Sequence, residues 1–145
     1  PQPETMLWAW KSRLSNVNAA FLNVKFKTIG WILKRRKQIA LQYNEAFKDL
    51  PIGLPHDQGG RVWQEYHLQV KDREEFAKSL KDKGVETLTR DVIPNHEIKG
   101  LGLEHFNLRI TECLAGEVIR LPLYEYLKDQ EVKYVIKSVR EFYGK

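Results

Sequence analysis

The chain has 145 residues, of which 42% are apolar and 30% charged, with a formal net charge of +5. That length suffices for one domain with a hydrophobic core, and four tryptophans, six tyrosines and six phenylalanines exclude an aromatic-poor disordered polymer. The single cysteine, Cys113, excludes an intrachain disulfide and fits a reducing compartment; with no apolar run near the roughly 20 residues of a bilayer span and no basic-then-apolar leader, a soluble, cytoplasmic protein without a membrane partner is expected.

Read from Pro1, residues 1–14 lack periodicity and form an irregular lead-in, although Met6 to Trp10 is too apolar for a solvated tail. A first residue other than methionine implies either removal of a leader or tag or a natural chain that extends upstream. Residues 15–145 read as a single domain. It opens with a long helical region capped by Ser15 or Asn16, in which Val17, Ala20, Phe21 and Val24 recur at helical spacing. Gly30 marks a bend. Beyond it Ile32, Leu33, Ile39, Ala40, Tyr43, Ala46 and Phe47 make one apolar stripe, and Pro51 ends the helix. The basic run Lys34-Arg35-Arg36-Lys37 falls on the opposite face and reads as solvated. No nucleic-acid-binding motif accompanies it, so no nucleic acid is expected as partner, while anionic ligands such as phosphates or nucleotide sugars stay compatible with the charge.

Residues 61–70 alternate as a strand, with Val62, Tyr66, Leu68 and Val70 on one face and Trp63, Glu65, His67 and Gln69 on the other. Asp72 and Glu75 have the spacing of a capping box for a helix with Phe76, Ala77 and Leu80 inward, closed by Gly84. Val85–Thr89 reads as a second strand. A loop follows with Pro94, Asn95, His96, Gly100 and Gly102, then a helix over 108–118 with Ile110, Leu114 and Val118 at i, i+4, i+8 spacing. Ile119–Leu123 is extended, and a last helix from Asp129 carries Val132, Val135, Ile136, Val139 and Phe142. The order implies an α+β fold: a small, largely antiparallel sheet of about three strands packed against helices, with a long N-terminal helix.

Chemistry is sparse at this level. His56, His67, His96 and His105 include no closely spaced pair, so no metal site is expected. Cys113 sits in a helical pattern beside Leu114 and reads as a small packed hydrophobe. Gly100-Leu101-Gly102 lacks the third glycine and the flanking strand and helix of a phosphate-cradling loop.

A resemblance adds what composition does not. Trp10-Lys11-Ser12-Arg13-Leu14-Ser15-Asn16-Val17-Asn18-Ala19-Ala20 resembles the element Gly-Tyr-Asn-x-Arg-Leu-x-Asn-x-x-Ala-Ala of the DegT/StrS-type, fold-type-I, pyridoxal-phosphate-dependent sugar aminotransferases. Arg35-Arg36 to Tyr43-Asn44, Val62-Trp63 to Tyr66, Gly84-Val85-Glu86-Thr87, Ile93-Pro94-Asn95-His96 and Leu121-Pro122-Leu123-Tyr124 are similar to further family stretches, in family order. The resemblance implies the family's C-terminal small domain with the helix leading into it. It also implies a homodimeric enzyme that moves an amino group, usually from glutamate, onto the keto-sugar of a sugar nucleotide. The cofactor's Schiff-base lysine belongs to the upstream large domain; no lysine here matches it. The chain is therefore expected to have no catalytic residue, to bind no cofactor alone, and to need a large domain in cis or in trans.

Within the first element, Lys11 stands where the family has a phosphate-contacting asparagine and Arg13 keeps the arginine, so both are candidate cofactor-phosphate residues acting on a partner subunit. The alternative reading makes Lys11 a surface lysine and Arg13 a helix-start residue. Arg90 and Asp91 replace the family's His-Tyr before Pro94, Gln64 replaces a histidine, and His96 matches. Arg90, Asp91 and His96 are thus candidate substrate-binding residues, with simple packing the alternative for His96. The competing function is a stand-alone, non-catalytic interaction or sugar-nucleotide-binding module derived from the same family.

Overall fold

The computed structural model describes residues 14–89 and 93–145, so the irregular segment expected over 1–14 lies almost wholly outside the described residues. The chain divides into two compact units, 1–32 and 33–145.

In the first unit, α1 (Asn16–Phe26) starts at Ser15, whose Oγ accepts the Asn18 amide at 3.1 Å. Val17, Phe21 and Val24 do share a stripe, but α1 buries none of its residues. The long N-terminal helix is in fact two helices, and the break falls at Lys27–Thr28 rather than at Gly30. There the amides of Lys27 and Thr28 bond three residues back, to Val24 and Lys25, and the Thr28 hydroxyl also donates to the Lys25 carbonyl at 3.0 Å. A threonine hydroxyl competing for that carbonyl locally replaces the α-helical pattern. Gly30 lies inside α2 (Ile29–Phe47).

The second unit holds the core. Ile39, Ala40, Tyr43 and Phe47 of α2 are buried, as their spacing predicts. Tyr43 stacks on Phe47 at 5.7 Å and meets Tyr66 at 4.9 Å. Both buried phenols have partners: Tyr43 donates to the Pro122 carbonyl at 3.0 Å and Tyr66 to Asn44 Oδ1 at 2.8 Å. The basic run is not simply solvated. Arg35 donates to the Leu127 carbonyl and to Asp129, and Arg36 donates to Glu125 through two nitrogens, at 2.9 and 3.1 Å.

The sheet has two strands, β1 (Tyr66–Gln69) and β2 (Val118–Leu121), antiparallel with Tyr66 opposite Leu121 and Gln69 opposite Val118. The expected third strand over 85–89 is reduced to one bridge, Leu88 to Arg120; a second bridge joins Gly53 to Gln69 on the other edge. Hydrogen-bond supply explains both. The Val85 amide is spent on the Leu80 carbonyl and the Gly84 amide on that of Lys81, which together make a Schellman closure of α3 (Arg73–Asp82). Around Gly53, Pro51 and Pro55 have no amide to offer a ladder.

Trp63 departs from the alternation expected of 61–70. Its φ is 49°, in the left-handed region, and this turns the indole onto Tyr66 at 6.1 Å, 1% exposed, while Val62 is left 56% exposed. Its Nε1 is buried with no hydrogen-bond partner among the described residues. The capping box expected at Asp72 is absent too: Asp72 has φ −97°, ψ 55°, outside the extended region from which a cap side chain reaches the first-turn amides, and makes no such bond. The equivalent contact occurs instead at α5 (Asp129–Phe142), where Glu131 accepts the Lys128 amide at 2.7 Å.

Phe76 and Leu80 of α3 face β2 and α5, whose Val132, Val135 and Val139 are buried. The helix α4 (Arg109–Glu117) contacts β1 but buries none of its residues: Ile110 is 79% exposed, Leu114 39%, and Cys113 is exposed rather than packed. No helix of the described residues is long and apolar enough to cross a membrane.

Candidate functional site

Of the five site residues read from the sequence, Lys11, Arg13, Arg90 and Asp91 lie outside the described residues. His96 is described. It sits in a 3-10 turn, Asn95–Glu97, opened by Pro94, and is 6% exposed. Its Nε2 is 3.0 Å from Glu112 Oε1, and the same oxygen accepts the Leu108 amide at 2.9 Å. One carboxylate thus ties the turn to the start of α4 across sixteen residues. The hydrogen bond from His96, followed by that from the Leu108 amide, holds the Glu112 carboxyl below its usual range. Nothing in the local sequence pairs 96 with 112, so Glu112 was not legible as part of this cluster.

His96, Glu97 and Glu112 bring one nitrogen and two carboxylates within 4.8 Å of one another. One of these contacts is already the hydrogen bond between His96 and Glu112, which an ion would have to displace. Beside the cluster, Ile93, Leu103, Phe106 and Leu108 line a mainly apolar cavity of about 550 Å³.

A larger cavity of about 750 Å³ opens between β2 and α5. Gln64, at the position where the resemblance placed a substituted histidine, lies on its wall. Next to it, Arg120 donates to Glu65 at 2.8 Å, and the other oxygen of Glu65 is 3.4 Å from His67 Nε2. Burial, and then the Arg120 charge, push the His67 imidazole below its ordinary value. Neither cavity is lined by a lysine. No catalytic step is assigned to the residues that line them.

Comparison with known proteins gives the site its context. Residues 2–140 match the model of the DegT/DnrJ/EryC1/StrS aminotransferase family. The chain is 32% identical over 143 residues to a pleiotropic regulatory protein of Geobacillus stearothermophilus, covering 92% of this chain and 38% of that protein. It is 30% identical over 142 residues to the dTDP-3-amino-3,6-dideoxy-alpha-D-galactopyranose transaminase of Aneurinibacillus thermoaerophilus, covering 96% and 39%. Among solved structures, DesV of S. venezuelae in complex with a ketimine intermediate superposes with a TM-score of 0.86 at 28% identity, over 93% of this chain and 38% of that one. A Brucella abortus aminotransferase superposes at 0.84 with 27% identity, over 92% and 37%. The chain thus spans less than two fifths of the length of these relatives. With matched motifs in order from one end to the other and the same fold, the chain belongs to the DegT/DnrJ/EryC1/StrS aminotransferase family.

Proposed function

We propose that this chain is the C-terminal part of a pyridoxal-phosphate-dependent nucleotide-sugar aminotransferase and is inactive without a lysine-bearing large domain. The match over residues 2–140, set against a span of only 38–39% of the curated relatives, carries this reading. Pyridoxal phosphate would supply the electron sink for amino transfer. In a homodimer, Lys11 and Arg13 are the residues proposed to meet its phosphate on the partner subunit, Lys11 as a point charge and Arg13 as a fork. Arg90, Asp91 and His96 are proposed to form part of the sugar-nucleotide wall. His96 would act there chiefly through position, because its Nε2 is already engaged by Glu112.

The test starts from the coding sequence in frame upstream of Pro1. If that sequence encodes a lysine-bearing domain, the full protein should transfer an amino group from glutamate to a keto-sugar nucleotide. Lys11→Ala and Arg13→Ala should then raise the Kd for the cofactor about tenfold each. The 145-residue chain alone, incubated with pyridoxal phosphate and borohydride, should yield no adduct at one specific lysine. Such an adduct, or full cofactor affinity in both variants, would overturn the reading.

A second reading, a stand-alone module that binds a protein or a sugar nucleotide, draws on the uncovered apolar face of α4 and its approach loop, where Ile110, Leu101 and Phe106 are exposed. Concentration-dependent self-association of the isolated chain, with a start codon directly upstream of Pro1, would favour it over the first.

A further inference from the structure

The cavity between β2 and α5 has no part in the reading above. Its floor is apolar, formed by Val85, Leu121 and Val135, all buried. Its wall includes Glu86, Gln130 and the ring of Tyr134, and its volume of about 750 Å³ is that of a small-molecule site. Tyr134 is half exposed, yet its hydroxyl donates to the Lys83 carbonyl at 2.8 Å. That bond fixes the hydroxyl end of a ring that lines the cavity.

Charge selects the ligand. Among the described residues lining the cavity, Arg120 is the one cation, and it is committed to Glu65 at 2.8 Å. Glu131 spends its carboxylate on the Lys128 amide at 2.7 Å. Glu86 is exposed and pairs with no described residue. The described lining therefore holds three carboxylates, Glu65, Glu86 and Glu131, against the one guanidinium of Arg120, a negative balance that repels a phosphate and attracts an ammonium group. The primary amide of Gln130 and the ring of Tyr134, both in the lining, suit hydroxyls and the C–H face of a ring, and the aromatic ring adds cation–π attraction.

We propose that this cavity binds a small hydroxylated organic cation, a ring or chain bearing hydroxyls and one primary ammonium, with Glu86 as its counter-ion and Tyr134 as its platform. The proposal stands on the cavity alone, so its failure leaves the aminotransferase reading untouched.

Three probes that share one ring separate the terms: glucosamine, glucose and glucose 6-phosphate, each titrated into the isotope-labelled 145-residue chain and followed by amide NMR. Glucosamine should shift the amides of Val85–Leu88 and Gln130–Val135 saturably, bind about tenfold more tightly than glucose, and outcompete glucose 6-phosphate. Glu86→Gln should abolish that preference while leaving the glucose shifts and the melting temperature unchanged, since Glu86 is exposed and pairs with no described residue. Tyr134→Ala should weaken both neutral and cationic probes. Equal binding of all three, a preference for the phosphate, an unaltered preference in Glu86→Gln, or no saturable shift up to roughly 50 mM glucosamine would each overturn the proposal.

Discussion

Replacing Gly53 by alanine tests whether the outer edge of the sheet is held by close backbone approach. A Cβ added at Gly53 would lie 2.8 Å from the Cβ of Gln69, where ordinary contact begins at 3.4 Å. Neither partner is free to yield. Gly53 and Gln69 exchange two backbone hydrogen bonds, at 2.9 and 3.0 Å, and the Gln69 amide side chain is anchored on Glu117 at 2.7 Å. Relief must come from stretching that bridge, an overpacking cost of about 1–3 kcal/mol. The lower entropy of the unfolded alanine chain offsets about 0.4–1 kcal/mol of it. A net loss of about 1–2 kcal/mol is expected, a fall in melting temperature of roughly 3–10 °C for a domain of this size. Urea unfolding of Gly53→Ala, Gln69→Gly and the double variant isolates the cause, because Gln69→Gly removes the colliding carbon. If Gly53→Ala is neutral, or costs as much in the Gln69→Gly background, the close approach is not what requires glycine.

Leu80→Ala, at a position fully buried under β2 and α5, should cost about 2–5 kcal/mol in urea unfolding, whereas Ile110→Ser on the open face of α4 should stay within about 0.5 kcal/mol. The hydrogen bonds from Arg140 hold the Asp49 carboxyl well below the usual carboxylate range. A depressed folded value means the pair contributes fully above the unfolded value of about 3.9 and is lost as pH falls through the folded one. The stability gap between wild type and Arg140→Leu should therefore be full near neutrality and narrow on acidification; a gap that does not shrink at all between neutrality and about pH 2 would refute the pairing. Burial, and then Asp72, push the Tyr143 phenol up to about 12, and burial raises Tyr43 and Tyr66 as well. Raised folded values mean that stability is whole below about pH 10 and falls as pH climbs past it. Phenolate absorbance from these three rings should appear together with unfolding, not at the usual value in a folded chain.

The elements that the sequence made legible are those whose buried face repeats at one period without interruption. Residues 39, 40, 43 and 47 in α2, and 132, 135 and 139 in α5, were readable because each helix turns a single stripe to the core. The same pattern misled at Ile110 and Leu114, where periodicity marks an apolar face correctly but cannot say whether this chain covers it. The third strand failed for a different reason. Val85 has a strand-forming side chain, yet its amide is claimed by the helix before it, and propensity does not record which donor has been spent. Trp63 failed because one left-handed residue puts Val62 and Trp63 out of phase with the alternation that holds from Tyr66 to Val70, and a bulky non-glycine residue gives no signal of a positive φ.

Site residues are harder still, because their chemistry depends on partners far along the chain. His96 is a free imidazole in the sequence and a committed one in the fold, since Glu112 reaches it across sixteen residues. The same loss of freedom meets Arg35 and Arg36, which read as solvated in the sequence and are instead engaged by Asp129 and Glu125. Charge counted along a chain therefore overstates what is available for binding. What acts on a ligand is what folding leaves at the cavity itself: the described lining between β2 and α5 carries Glu65, Glu86 and Glu131, and its one guanidinium, Arg120, is paired with Glu65. A net charge of +5 thus coexists with a concave site whose described residues favour a cation, because only the site's own residual charge acts on a ligand at contact distance.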